Sequence, residues 1–389
     1  MRIADVAVHV VREVDKPVDN RQLAAIVIVT AENGVKGFAE ANANPAAVKA
    51  FIESGIGLAD NWDDAPRSIL ADVDVTDPSG AWTALTRSSF WSCRAGIGYV
   101  ALAALGTALW DLAGKLAAKP VYQMIHTGEV PEVIPYVTLY HGPADVEGTI
   151  ARNREAISWA REHGFRAVKV EALPDNVADE SRVVEVVADA REVAGADCTI
   201  LVDVGYRWSD AETATKICSG LHELGVHAIE APFRPEDLQS YRALAESCAL
   251  PIATGDMLSA PLEYHSLIES GAVAIVQAGA ARTGFNGLLE LSERASSSGV
   301  QVVTWGWCAT GAALAANVHA SMLFPGPRVL LEYTPLELYP GAQLRRELFT
   351  PEPLLHDGSC IAPNRPGFGV ELDERVLERY LVSVSGWTI

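Results

Sequence analysis

Three short apolar stretches decide how this chain folds: TILVDV at residues 199–204, AIEA at residues 228–231, and IAT at residues 252–254, which runs into Gly255-Asp256. Their starts are 29 and 24 residues apart. That spacing leaves room for one strand followed by one helix. The three stretches therefore predict consecutive strands of a parallel sheet whose connections are helical.

The same alternation extends in both directions from these stretches. Helical patterns such as residues 183–193 and 236–246 lie between the apolar runs. Eight runs can be counted, at residues 136–140, 167–172, 199–204, 228–231, 252–254, 274–277, 300–304 and 329–333. Eight repeats of strand and helix are typical of a (β/α) barrel rather than of an open sheet. We therefore predict an α/β fold with a barrel over residues 131–345.

The two ends of the chain follow other patterns. Residues 1–130 begin with three alternating runs, 3–11, 23–30 and 35–40, the last two joined by an Asn33-Gly34 turn, and continue with a helical pattern at 99–116. This composition predicts an α+β unit. Residues 346–389 are rich in proline and glycine and predict a looped tail, with a last helix at 373–380.

Charge and composition exclude several classes of partner. The chain has 30 basic and 50 acidic residues, a net charge of −20, which opposes binding to a nucleic-acid backbone. No run of 18 apolar residues and no signal-peptide pattern occurs, so we expect no membrane partner and a cytoplasmic location. The six cysteines form no CxxC pair, so zinc is not expected.

Acidic residues end three consecutive predicted strands: Asp203, Glu230 and Asp256. Neighbouring strand ends lie about 5 Å apart, and carboxylates that close raise each other's pKa. A hard divalent cation relieves that repulsion, so the pattern predicts Mg²⁺ held by these three residues. The alternative is that each acid caps the following helix or pairs with a basic side chain.

The second predicted strand carries Lys169 and Glu171, two residues apart and hence on the same face. If that face lines the barrel, Lys169 can bind a substrate carboxylate and Glu171 can handle a proton. A buried structural ion pair is the alternative.

Two further motifs stand outside the barrel, ALWDLAGK at residues 108–115 and PGFGVE at residues 366–371. Together with the strand ends they make the chain resemble the mandelate racemase and muconate lactonizing branch of the enolase superfamily. The resemblance implies a (β/α)7β barrel and an α+β capping domain built from residues 1–130 and completed by the tail, residues 346–389. It also implies a homo-oligomer.

The resemblance further implies the chemistry. A bound Mg²⁺ would stabilise the enediolate formed when the α-proton of a small carboxylate substrate is removed, and dehydration, epimerisation or isomerisation would follow. The capping domain would close over the barrel mouth. We expect its segment 40–47, including Asn44, to lie near the substrate.

The chain departs from the family pattern at its bases. Many members end the second strand with Lys-x-Lys, where this chain has Lys169-Val170-Glu171. The dehydratase-like members carry a His on the seventh strand and an Asp on the sixth, where this chain has Gly306 and the stretch around Gln277. Asp256 stands where a Glu is common.

Other side chains are candidates for the missing proton transfer. Glu171, Tyr206 and His141 can replace the lost bases, and Glu332 matches an acid that can protonate an enolate. Trp305 and Trp307 can form a stacking wall for substrate. The plainer alternatives are an exposed rim position for the histidine and barrel-end packing for the tryptophans.

Two functions therefore remain open at this stage. One is a Mg²⁺-dependent enzyme that removes an α-proton from a carboxylate. The other is a metal-retaining member that binds a carboxylate ligand with altered catalysis or none.

Overall fold

The computed structural model describes residues 1–13, 23–54, 64–139, 145–173, 177–306, 309–338 and 342–382. The chain begins with an antiparallel sheet of β1 (Ile3–Arg12), β2 (Leu23–Ala31) and β3 (Lys36–Ala41). The helices α1 (Pro45–Glu53), α2 (Pro66–Leu70), α3 (Pro78–Ser88), α4 (Gly96–Leu116) and α5 (Val121–Ile125) follow. The predicted Asn33-Gly34 turn joins β2 to β3, with Gly34 at φ +84°, a conformation that glycine adopts without strain.

The predicted barrel is confirmed as a closed ring of eight parallel strands. The strands are β4 (Glu132–Leu139), β5 (Ala167–Glu171), β6 (Thr199–Asp203), β7 (Ala228–Glu230), β8 (Ile252–Thr254), β9 (Ile275–Ala278), β10 (Gln301–Thr304) and β11 (Arg328–Tyr333). Between them lie α6 (Val146–Glu162), α7 (Val183–Ala194), α8 (Ala211–Glu223), α9 (Leu238–Ser247), α10 (Pro261–Glu269), α11 (Gly284–Ser297) and α12 (Gly311–Ser321). A 3₁₀ turn, Glu180–Arg182, precedes α7. Pairing of β11 with β4 closes the ring and gives the (β/α)7β order.

Alternation along each strand divides the barrel into two layers. Residues such as Val168 and Val170 of β5 point outward into the core beneath the helices. The inward-pointing residues that fill the barrel interior are Tyr136, Ala167, Leu201, Ala228, Ala253, Ile275 and Val303. This apolar packing leaves the C-terminal strand ends as the place where polar side chains can collect.

Helix α4 joins the N-terminal sheet to the barrel. By length and composition alone it is apolar enough to cross a membrane. Its residues 99–114 are all buried, however, because one side packs on β2 and β3 and another on α11. The Trp110 Nε1–H donates to Asn286 Oδ1 at 2.9 Å across the interface with α11. The apolar character of α4 is thus accounted for by its position between two layers of the protein.

The C-terminal tail is more regular than the predicted loop. It contains α13 (Gln343–Leu348), β12 (Phe349–Thr350), β13 (Leu354–His356), β14 (Ser359–Ile361), β15 (Glu371–Leu372) and α14 (Glu374–Tyr380). It returns to the N-terminal sheet, where the Val382 N–H donates to the Val10 carbonyl at 2.9 Å. The capping domain is therefore built from both chain ends, as predicted.

The two motifs outside the barrel meet each other. Asp111 of the ALWDLAGK helix accepts hydrogen bonds from the N–H of Phe38 on β3 at 3.0 Å and of Phe368 in the PGFGVE tail at 2.8 Å. A Cβ on Gly114 would lie 2.8 Å from the Gly367 Cα, so this helix and the tail approach too closely for any larger residue. These motifs therefore hold the capping domain together.

Candidate active site

The acidic residues predicted at the strand ends are brought to one edge of the barrel. In the strand register Glu171 pairs with Asp203, and Asp203 pairs with Glu230. Side chains in register on parallel strands point to the same side. Asp256 follows the end of β8 by two residues, after Gly255 at φ +117°. The structure therefore brings all four predicted acids to the C-terminal end of adjacent strands.

Lys169 lies at the centre of this group. Its Nζ is 3.0 Å from Glu230 Oε1, 3.1 Å from Glu332 Oε1 and 3.7 Å from Asp203 Oδ2. The ring of Tyr136 lies beneath it, with the centroid 5.6 Å from Nζ. Burial lowers the pKa of Lys169, but these carboxylates outweigh burial and raise the pKa well above its ordinary value. The side chain is therefore an ammonium ion with several buried acceptors.

Glu332 on β11 binds one donor on β4 and one just after β10, and it also contacts Lys169 on β5. It accepts hydrogen bonds from the Thr138 hydroxyl and, at 2.8 Å, from the Gly306 N–H, in addition to the ion pair with Lys169. Burial raises the pKa of Glu332, yet Lys169 and these hydrogen bonds bring it below its ordinary value. Glu332 is therefore ionised in this arrangement. To act as the predicted proton donor, Glu332 would first have to take up a proton, and this requires the loss of part of this stabilisation.

The positive charge of Lys169 does not offset the burial of the three predicted metal ligands. Burial raises the pKa of Asp203 to about 6 and raises the pKa of Glu230 and of Asp256 as well, despite the nearby Lys169 ammonium. The Oε2 atom of Glu230 is buried and has no hydrogen-bond partner in the described part of the chain. A buried carboxylate oxygen without a partner is costly. This is the chemistry that a bound cation satisfies.

The ligand side chains are occupied by protein donors in the described arrangement. Asp203 Oδ1 accepts a hydrogen bond from the Gly205 N–H at 2.9 Å, Glu230 binds Lys169, and the Tyr206 hydroxyl donates to Asp256. Among the described residues, no three His, Cys, Asp or Glu side chains converge closely enough to surround a metal ion. The donor set, three carboxylates with one unsatisfied oxygen, nevertheless fits Mg²⁺ by its chemistry.

Tyr206 owes its position to an unusual turn. It follows Gly205 at φ +57° and itself has φ +60°, which directs its ring from the end of β6 towards the loop after β8. Burial and the neighbouring carboxylate of Asp256 raise the pKa of its hydroxyl far above the ordinary value. Tyr206 therefore stays protonated at neutral pH, and this arrangement favours a hydrogen-bond donor over a base.

Two of the predicted substrate-binding residues, Trp305 and Asn44, lie in the described part of the chain outside the group around Lys169. Trp305 follows β10 and is half-buried, its N–H bonded to the Ala278 carbonyl at 2.9 Å. Asn44 is exposed and caps α1 by accepting the Ala47 N–H at 3.1 Å. Contact of either side chain with substrate stays a prediction. His141 and Trp307 lie outside the described residues.

The capping segment meets the barrel on two loops. The Asn42 N–H donates to the Ala281 carbonyl, in the loop after β9, at 2.7 Å. Two residues earlier, the buried Glu40 binds N–H groups at the start of α12. The segment expected near the substrate therefore lies against the loops that follow β9 and β10.

Four polar residues of this region had no individual role assigned from the sequence. They are Glu40, Tyr136, Thr138 and the inward-facing Gln277, all buried. The hydroxyl of Tyr136 and both amide atoms of Gln277 have no hydrogen bond of ordinary geometry among the described residues. For Tyr136 and Thr138 a signal existed: they alternate on the first barrel strand with the period that places Lys169 and Glu171 inside.

Comparison with known proteins agrees with this architecture. Residues 151–376 match the family described as Enolase C-terminal domain-like, and residues 4–126 match the Mandelate racemase / muconate lactonizing enzyme, N-terminal domain. Among solved structures, a protein suggested to be a racemase superposes with a TM-score of 0.90 at 28% identity, covering 97% of each chain. A racemase from Streptomyces coelicolor A3(2), solved with bound magnesium, has a TM-score of 0.79 at 22% identity, covering 98% of this chain and 100% of its own.

The curated relatives are lyases and isomerases. An arabinonate dehydratase of Saccharolobus solfataricus is 26% identical over 302 residues, or 77% of each chain. A 3,6-anhydro-alpha-L-galactonate cycloisomerase of Streptomyces coelicolor is 26% identical, covering 84% of this chain and 85% of its own. An L-talarate/galactarate dehydratase of Salmonella typhimurium is 25% identical, covering 91% and 83%. By its two matched domains, this chain belongs to the mandelate racemase / muconate lactonizing enzyme branch of the enolase superfamily, and it is an enzyme of that branch.

Proposed function

We propose that this enzyme is a Mg²⁺-dependent lyase or isomerase that removes the α-proton of a sugar-acid carboxylate. The sugar acids named for two of the dehydratase relatives support that substrate class. We also propose a cytoplasmic location, as the sequence predicts, and self-association, as the family resemblance implies.

The observation that carries the proposal is the inward-facing set formed by Lys169, Glu171, Asp203 and Glu230. It places one cation, one candidate base and two candidate metal ligands in register at the C-terminal end of three adjacent strands. A structural ion pair alone needs one partner for Lys169, whereas three carboxylates lie within 4 Å of its Nζ. Such an excess of buried acids is expected where charge is going to be rearranged during a reaction.

Each residue then has a definite task. Asp203, Glu230 and Asp256 would hold Mg²⁺, which when bound supplies positive charge that stabilises an enediolate. Lys169 releases one of the protein carboxylates that surround it and binds the carboxylate of the substrate instead, which orients the substrate. Glu171 accepts the α-proton: the substrate C–H bond breaks, an O–H bond forms on Glu171, and the electron pair moves onto the substrate carboxylate.

The second half of the reaction requires a proton donor. In a dehydration the bond from the β-carbon to its hydroxyl oxygen breaks, and the oxygen leaves as water after taking up one proton. Tyr206 keeps its proton at neutral pH because its pKa is raised, so its phenol can donate a hydrogen bond to the leaving hydroxyl but is a weak acid for complete proton transfer. His141 remains the other candidate.

Exchange in D₂O tests the proposal directly. The protein with Mg²⁺ is incubated with a library of aldonic and aldaric acids, and loss of the α-proton signal is followed by NMR, with 2-oxo acid formation measured in parallel. We expect exchange or turnover of at least one acid, and none after chelation of the metal. Saturable binding of an acid without exchange at its α-carbon would instead favour the binding-only alternative.

A further inference from the structure

Glu40 is a buried carboxylate of the capping domain that the proposed chemistry does not use. It lies near the end of β3 between the buried apolar residues Ala39 and Ala41 and is 3% exposed. Its Oε1 accepts a hydrogen bond from the Ala309 N–H at 2.9 Å, and its Oε2 accepts from the N–H and the hydroxyl of Thr310, both at 2.8 Å. Burial raises the pKa of Glu40 although these bonds lower it. A buried carboxylate is costly to keep, so its contacts require an explanation.

The residues that Glu40 contacts are close in sequence to Gly306, which contacts Glu332 in the proposed active site. Ala309 and Thr310 end the segment that follows β10, and Gly306 stands near its beginning. The Gly306 N–H donates to Glu332 Oε2 at 2.8 Å. A Cβ on Gly306 would lie 2.5 Å from the Glu332 carbonyl oxygen, so the backbone at Gly306 lies in direct contact with that of β11. One end of this segment therefore touches Glu332, and the other end is bound by the capping domain.

We infer that Glu40 is a positioning residue, which holds residues 309–310 so that the Gly306 N–H stays on Glu332. Glu332 in turn keeps its other oxygen 3.1 Å from Lys169 Nζ. The attachment of the capping domain to the barrel is thereby linked to the arrangement of the Lys169–Glu332 pair. The inference rests on the proposed function only in taking Lys169 and Glu332 as parts of the active site.

The chemistry of the contact requires a carboxylate. All three groups that meet Glu40 are donors, and a carboxylate has two oxygens that accept them. In a glutamine at this position one oxygen would be replaced by an NH₂ group, which would face an N–H donor. Glu40→Gln therefore removes part of the contact while keeping the size of the side chain.

A second hydrogen bond between the same two parts of the protein offers a matched control. The bond from Trp110 to Asn286 joins α4 to α11 and lies outside the segment after β10. Asn286→Ala should loosen the attachment of the capping domain without acting on Gly306. An effect shared by both variants is therefore general loosening, and an effect confined to Glu40→Gln is positioning.

Hydrogen–deuterium exchange of the full-length protein, with residue resolution from electron-transfer fragmentation, is the test. In Glu40→Gln we expect the amides of Ala309, Thr310 and Gly306 all to exchange about tenfold faster, as for loss of one charge-assisted hydrogen bond. In Asn286→Ala the Gly306 amide should be unchanged. Faster exchange at 309–310 with full protection kept at Gly306 would overturn the inference. It would show that Glu40 attaches the capping domain to residues 309–310 without positioning Gly306.

Thr310→Val provides a milder variant in case Glu40→Gln fails to fold. It removes the hydroxyl donor to Glu40 and also the N-cap acceptor of the Ala312 N–H at the start of α12, a loss that the Ala312 amide reports separately. We expect a smaller acceleration at the same three amides, and no acceleration at Gly306 would count against the inference. With any acid found to exchange in D₂O, Glu40→Gln should lower kcat more than it changes KM. If no acid exchanges, the proposed function fails while the amide result still decides the role of Glu40.

Discussion

Two buried lysine–carboxylate clusters in this molecule differ in how completely their oxygens are bonded. In the capping domain, Lys115 Nζ lies 2.9 Å from Asp111 Oδ2. The two Asp111 oxygens also accept the N–H groups of Phe38 and Phe368, so each oxygen has a protein donor. This cluster ties one helix to the sheet and to the tail, and every bond it makes is used for structure.

The barrel cluster is built from the same residue types but is not completed. Lys169 has three carboxylates within 4 Å, and Glu230 Oε2 has no hydrogen-bond partner among the described residues. A fully satisfied buried network rigidifies a fold, whereas a partly satisfied one costs stability unless something else binds there. The comparison shows that the barrel cluster combines an excess of carboxylates with an unsatisfied oxygen, which a bound cation would complete.

Metal binding is where the two clusters should differ most. In Asp203→Asn with Glu230→Gln, we expect Mg²⁺ binding measured by calorimetry to fall below detection, because two of three anionic ligands become neutral amides. The fold should remain intact by circular dichroism, because burial disfavours these carboxylates and the amides still form hydrogen bonds. The matched control, Glu185→Gln with Glu212→Gln on the exposed helix faces, should bind as the wild type does. Undiminished binding in the barrel variant would show that the ligand assignment is wrong.

Breaking the satisfied cluster should affect stability instead. Asp111→Ala removes both acceptors and leaves two buried N–H groups and Lys115 without their main partner. We expect a loss of about 3 kcal/mol or more in the free energy of unfolding, as for other broken buried pairs. Urea denaturation measures this, and turnover per folded molecule should be unchanged. A loss below about 1 kcal/mol would mean that the cluster contributes little.

Removal of the candidate base should affect turnover without affecting stability. For Glu171→Gln we expect on the order of a 100-fold loss of α-proton exchange, the lower range for a lost general base. Glutamine is nearly isosteric, so the urea midpoint should barely move, and Glu185→Gln is the control. Lys169→Met should weaken both substrate binding and turnover. Retained activity in Glu171→Gln, with activity lost in His141→Asn or Tyr206→Phe, would place the base on a rim loop.

The barrel and three of its acids could be predicted from the sequence because both are signalled by residues that are close together in the chain. A strand of three to five residues followed by a helix is visible in the apolar pattern, and so is the acid that ends or closely follows it. Thus Asp203, Glu230 and Asp256 could be assigned to the same edge before any contact was known. Lys169 and Glu171 followed from strand phase alone.

Contacts across the barrel and between domains could not be predicted in this way. The pair of Lys169 with Glu332 depends on strand stagger around the ring, and the bonds of Glu40 to residues 309–310 join parts of the chain that are about 270 residues apart. Helix α13 crosses the boundary at residue 345 that was predicted between the barrel and the looped tail, and its six residues are too few to stand out from the surrounding sequence. It is ordered by tertiary contacts instead, including the hydrogen bond from the Leu344 N–H to Glu13 at 3.0 Å.

His319 on α12 is a buried polar side chain that belongs to neither lysine–carboxylate cluster, and it shows how far the comparison extends. It is next to the satisfied cluster, with its ring centroid 5.2 Å from that of Phe368. Its Nδ1 accepts the Tyr122 N–H at 3.3 Å, while its Nε2 has no hydrogen bond of ordinary geometry among the described residues. An unbonded buried atom is therefore not by itself a sign of a ligand, and here its consequence should be sensitivity to acid.

Burial lowers the pKa of His319 from 6.5 to about 3. Between these values the unfolded chain binds a proton that the folded protein does not, so stability falls as the pH is lowered from about 6.5 and is unaffected above it. The slope is at most about 1.4 kcal/mol per pH unit. His319→Gln keeps an acceptor for Tyr122, and urea denaturation at pH 7.5 and 5.5 should show a smaller loss than in wild type. His356→Gln, which changes an exposed histidine, should retain the wild-type loss, and an equal loss in His319→Gln would refute the assignment.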